Sequence, residues 1–92
     1  MVARNYSSLA GSMTLAVTIS DSATSMSLDT TAGLPSAPFT LVVDAGAAGE
    51  EVVEVTNLVG LTATIVRGID STIPVQHNSG AEVRHMASAR DF

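Results

Sequence analysis

Three acidic residues, Glu50, Glu51 and Glu54, crowd together, and two histidines, His77 and His85, follow downstream. These residue types serve as general acids and bases and as metal ligands. Paired carboxylates support glycoside hydrolysis when they stand about 5–10 Å apart. On a strand, Glu50 and Glu54 share a face at about 13–14 Å, which is too far for such a pair. A solvated strand face and loop rim is therefore expected for these acids. A zinc site would need more ligands than two histidines in a chain without cysteine. The expected roles are structural: His77 bonds backbone inside its own loop, and His85 lies on a strand face. Asp44, Glu50 and Glu51, with glycines between, offer oxygen ligands for calcium, but their spacing is not that of an EF-hand loop. Serine and threonine are plentiful, yet no Gly-x-Ser-x-Gly elbow occurs. Without lysine there is no phosphate-binding Gly-x-x-x-x-Gly-Lys loop. The residues therefore point to a protein that is not an enzyme and uses neither cofactor nor metal.

Arg67 and Asp70 form the charged pair most worth singling out, three residues apart across Gly68. The expectation is a charge-assisted bond bracing the loop, with a contact to a neighbouring subunit as the alternative.

The elements that must position these groups read as strands. Residues 14–19 alternate, with Leu15, Val17 and Ile19 on one face. Ser20, Asp21 and Ser22 supply turn chemistry. Residues 25–29 alternate again, with Met26 and Leu28 inward. Gly33, Pro35 and Pro38 mark a loop that turns the chain. Phe39, Leu41 and Val43 share a face of the next strand, and residues 45–49 form a small flexible loop. Val53 and Val55 alternate with Glu54. The segment 57–60 breaks that run before the β-branched stretch 62–67, which is a hairpin pattern. A loop over 68–80 leads to a short strand, 82–85. No apolar period of 3.6 residues persists for three turns, and the tail 86–92 forms one helical turn or stays extended. Short strands at roughly 10–12-residue spacing predict an all-β fold, a small β-sandwich or barrel of short antiparallel strands. An extended N-terminal arm spans 1–12, and a single β domain spans 13–92. Val2, Arg4, Tyr6 and Leu9 are the arm residues expected to contact another subunit.

Composition narrows the function classes. At 92 residues without cysteine or tryptophan, the chain must build a small aliphatic core with no disulfide to help. A mean hydropathy of +0.36 suggests apolar surface covered by something other than water. The net charge of −5, carried with only four cations, all arginine, argues against nucleic acid. The lack of lysine argues against a polybasic membrane patch. No apolar run is long enough to span a bilayer. The start of the chain lacks a signal peptide's apolar core, which implies a protein made and used without export.

A motif order carries further. It runs Glu51-x-x-x-Val55-Thr56, a short turn, then Thr62-x-Thr64-Ile65-Val66-Arg67-Gly68-x-Asp70-x-Thr72, then His77-x-x-Gly80-Ala81-x-Val83. Upstream stand Gly33-Leu34-Pro35 and Pro38-Phe39. Together these resemble a module of tailed-bacteriophage structural proteins, found in capsid decoration or head-fibre proteins and in tail-fibre-associated proteins. The resemblance covers residues from about 34 to 92. Ser71 stands where the family usually has glycine, so the turn after Asp70 need not share the family's backbone geometry. Arg67, Gly68, Asp70, Thr72, His77 and Gly80 are the loop residues the module assigns to structure. The resemblance implies a capsid decoration protein made in the bacterial host cytoplasm and sited on the virion's capsid surface. It implies a homotrimer with the major capsid protein as partner. The alternative is a tail- or fibre-borne module that adheres to a host-surface carbohydrate.

Overall fold

The computed structural model describes residues 12–85, which form one six-stranded sheet. The strands are β1 (Met13–Thr14), β2 (Ser25–Ser27), β3 (Phe39–Val43), β4 (Glu51–Val59), β5 (Thr62–Ile69) and β6 (Glu82–His85). Their spatial order is β1-β6-β3-β4-β5-β2, and every neighbouring pair is antiparallel. The chain is therefore all-β, and no helix occurs among the described residues. The sheet curls until its outer strands meet. Leu15 bridges Leu28, and the Ala16 N–H and Asp29 N–H donate to Ser27 O and Thr14 O at 2.9 and 3.1 Å. Curling in this way hides most of the unpaired edge that a flat sheet would expose.

Inward residues fill the concave side. Phe39, Leu41 and Val43 of β3 meet Val53 and Val55 of β4, with Ile65 and Val83 alongside. The core is aliphatic except for Phe39, as the composition requires. β3 lies in the middle of the sheet and is buried along its whole length, Thr40 and Val42 included.

Three local expectations fail. The 14–19 stretch is not a continuous strand. β1 ends at Thr14, and Ile19 leaves the sheet edge to pair with His77. Leu15 and Ile19 are buried, but Val17 between them is 59% exposed, because the chain bulges outward there. In the hairpin, β4 continues through Asn57 to Val59, and the turn is Gly60–Leu61. The segment expected to break the strand stays paired, Asn57 with Thr64, Leu58 with Ala63 and Val59 with Thr62, after a register shift between Val55 and Asn57. Finally, β5 runs past Arg67 to Ile69, so Gly68 lies within a strand. Residues 1–11 and 86–92, which hold Val2, Arg4, Tyr6, Leu9 and the tail, lie outside the described residues, as does nearly all of the expected arm.

Two glycines separate backbone strain from crowding. Gly60 and Gly68 share φ +58, a region that side chains with a Cβ rarely enter. A Cβ on Gly60 would meet open space, whereas on Gly68 it would lie 2.6 Å from Pro74 Cδ. Gly60→Ala should therefore cost about 1 kcal/mol, the left-handed penalty alone. Gly68→Ala should cost roughly twice that, because Pro74 must move as well. Urea unfolding of the two variants measures the difference, and equal losses would contradict the crowding argument.

Candidate functional site

Three charged or titratable residues of the motif, Glu51, Arg67 and His77, converge at one end of the sheet with Asp44. Glu51 opens β4, and its register places it opposite Val43 on the inward face. It is 0% exposed, as buried as the core valines. Arg67 comes from β5, His77 from the segment between β5 and β6, and Asp44 from the residue after β3. Asp44 takes φ +57, which an aspartate tolerates better than most residues.

Every polar atom at the centre is partnered. The Arg67 guanidinium grips Glu51 with both prongs, Nε to Oε2 at 2.7 Å and Nη2 to Oε1 at 2.9 Å. Nη1 donates to the carbonyls of Ser20 and Ala23 at 2.6 and 2.9 Å, and Nη2 donates to Val75 O at 2.6 Å. That engages all five donors of the arginine. Glu51 also accepts the Gly68 N–H at 2.9 Å and the Val75 N–H at 3.2 Å. His77 Nε2 lies 2.8 Å from Glu51 Oε1, and His77 Nδ1 lies 2.7 Å from Asp44 Oδ2. Burial alone would raise the Glu51 pKa. The donors of Arg67, His77, Gly68 and Val75 outweigh it and hold the carboxyl down at about 2.

One buried charge cluster thus ties four pieces of chain together: the Ser20–Ala23 turn, the end of β3, the β4–β5 pair and the segment leading to β6. Thr72 fastens the same segment further along. Its hydroxyl donates to Ile69 O at 2.7 Å and accepts the Val52 N–H at 3.0 Å. Gly80, at φ +86, lets its N–H reach Leu15 O at 2.7 Å.

Several expectations for these residues are corrected. The acidic run is not a uniformly solvated rim. Glu50 lies outside the strand, where it accepts the Gly46 N–H, while Glu51 points into the interior. The loop-bracing partner of Arg67 is Glu51, not Asp70, since its five donors are already engaged. The His77 ring bonds two carboxylates outside its loop, and its backbone also pairs outside the loop, with Ile19. His85 does lie on a strand face, where Nδ1 meets Thr40 O at 2.8 Å and the ring packs edge-on against Phe39. Asp70 and Ser71 take φ +53 and +72. Ser71 thus adopts a glycine-like backbone where the family pattern has glycine. Sequence reasoning missed Glu51 and Asp44 as members of the cluster. The available signal was parity, because Glu51 shares its strand face with Val53 and Val55.

Chemically this is a poor place for catalysis. The carboxylate, guanidinium and imidazole are sealed from solvent and already satisfied by one another. Among the described residues, no group of three His, Cys, Asp or Glu side chains is placed to hold a metal ion. A shallow groove among the described residues is lined by Ala48, Gly49, Glu50, Ser71, Thr72, Ile73 and Val75, and its one carboxylate, Glu50, already accepts the Gly46 N–H. No protein-family model matches the chain, and no curated protein matches it either.

Proposed function

We propose that this chain is a structural protein of a tailed-bacteriophage virion, a capsid decoration protein that binds the outer shell and stabilises it by mass action. One observation carries the reading. The residues that make the sequence resemble the phage module, Glu51, Arg67, Gly68, Thr72 and His77, are those the fold gathers into its internal brace. A motif whose charged groups are spent on holding loops to a sheet suits a scaffold rather than a reaction centre. Val59, Leu61 and Ile73 are exposed at the turns and supply apolar surface for contacts with other subunits. Host-surface carbohydrate adhesion fits less well. Phe39 is the sole Phe, Tyr or Trp among the described residues and is fully buried, so no aromatic stacking platform is available there.

The test is to mix the full chain with undecorated capsids and sediment the mixture. Saturable binding is expected, with the free protein sedimenting as a homotrimer. Removing residues 1–8 should weaken capsid binding while the far-ultraviolet circular dichroism keeps its strand signature. A monomer that ignores capsids and binds host cell-wall glycans would establish the adhesion reading instead.

A further inference from the structure

We propose that the outer face of the β4–β5 hairpin is the surface on which a second copy of this chain docks. This docking gives the homotrimer of the proposed function its interface, and it rests on that part of the reading alone. Strand parity sets the face. Ala63 and Ile65 of β5 point into the core, so Thr62, Thr64 and Val66 point outward, and all three are exposed. On β4, the register shift after Val55 brings Asn57 opposite Thr64 and Val59 opposite Thr62, on the same outer side. Leu58, opposite Ala63, packs inward. Val59 is 69% exposed, Leu61 49% and Val66 48%. β2 widens the surface, because Met26 is buried while Ser25 and Ser27 stand beside Thr64 and Thr62.

This face is unlike a solvated one. Residues 55–66 hold no charged side chain, and neither does β2. Its exposed apolar groups lie in one strip rather than singly, which marks a contact surface. The acids gather at the other end of the sheet. Asp44, Glu50 and Asp70 adjoin the ends of β3, β4 and β5 that lie away from the Gly60–Leu61 turn, and Asp21 lies in the turn that Arg67 holds. Two acids bound the strip. Glu54 stands opposite Val66, and Asp29 turns its carboxylate onto the Thr14 N–H at 2.9 Å. Charge then selects the occupant. The chain carries −5 overall, so two copies repel where their acidic ends meet. The uncharged strip lets them approach without setting carboxylate against carboxylate. Its β-branched side chains are stiff already and lose little freedom on contact. A basic partner would be drawn to the acidic end instead.

Sedimentation velocity of the full chain over a dilution series should show an oligomer that dissociates at the dilute end. Val59→Glu combined with Thr64→Glu should weaken association by about tenfold or more, because like charges would face one another across the contact. Ile73→Glu should leave association unchanged, since Ile73 is 72% exposed but lies beyond the other end of β5. The chain has no cysteine, so Thr64→Cys gives a second reading. A maleimide should modify that variant slowly when it is concentrated and fast when it is dilute, whereas Ile73→Cys should react fast at both concentrations. The labelling decides even if the double variant fails to fold. A monomeric wild type, a double variant that assembles like wild type, an Ile73→Glu variant that falls apart, or Thr64→Cys labelling that ignores concentration would each overturn the proposal. Capsid binding is read separately. A wild type that binds capsids as a monomer overturns this interface and leaves the decoration reading standing. An oligomer protected on this face that ignores capsids does the reverse.

Discussion

Arg67→Ala is expected to lower stability by about 3–5 kcal/mol, the usual effect of removing one partner from a buried ion pair. The loss has two parts. Glu51 would stay sealed in the interior without its bidentate partner, and the carbonyls of Ser20, Ala23 and Val75 would lose their donors. A domain of this size has roughly 5–14 kcal/mol in total, so the variant would stand near the edge of unfolding. Its melting temperature should fall by roughly 15 °C or more. Lysine should not rescue it, since an ammonium cannot reproduce the planar fork. Arg84→Ala is the control, because Arg84 pairs with Glu82 at the solvated surface and should matter by about 0.5 kcal/mol or less. Combining Arg67→Met with Glu51→Leu should be milder than Arg67→Ala alone, as both buried charges then leave together. Calorimetry of these four proteins tests the argument. If Arg67→Ala melts within a few degrees of Arg84→Ala, the cluster is not the brace described above.

The second large effect is an acid transition. Glu51 has its folded pKa depressed from 4.5 to about 2, so its stabilising contribution is complete above about pH 4.5 and is lost as pH falls towards 2. The full shift corresponds to about 3 kcal/mol; because the cluster opens to solvent at Asp44, about 2 kcal/mol is expected. Protonation would put a hydrogen on an oxygen that already faces N–H donors, so the acid would have to break one of its bonds. Asp29 acts in the same direction, its carboxyl lowered by the bond from the Thr14 N–H. Urea midpoints of the wild type should therefore fall steadily from pH 5 to pH 2. Glu51→Gln should start lower at pH 5 and lose less over the same range. A wild type equally stable at pH 5 and pH 2.5 would mean that the carboxylate is not held as the geometry implies.

Much of the fold was legible without tertiary information. The alternation of Met26 with Leu28, of Phe39, Leu41 and Val43, and of Val53 with Val55 locates β2, β3 and β4 and their inward faces, because strand side chains alternate with period two. The lack of any sustained helical period argued against helices, and none occurs among the described residues. Composition foretold an aliphatic core. What the residues could not convey was partnership. Val17 continues a clean alternation, yet it is exposed, because the chain departs from its neighbour so that Ile19 can pair with His77, far along the sequence. The segment at Asn57 looked like a break, but a register shift just before it keeps it paired inside a strand.

The cluster shows the same division more sharply. Parity along β4 offered a sign that Glu51 lies on the apolar face, but an acid on such a face is ordinarily a misfit, and a solvated rim was expected instead. Only the assembled sheet shows why it is tolerated, since the donors that satisfy it come from residues 67, 68, 75 and 77. Asp70, three residues from Arg67, was the natural partner by sequence proximity. The geometry chose Glu51, 16 residues away, because the β4–β5 pairing delivers its carboxylate to the guanidinium in a plane that suits both prongs. Sequence by itself determined which side chains could be buried and in what period. The tertiary structure decided which buried charges neutralise one another, because that depends on strand register and loop closure over distances that no local pattern encodes.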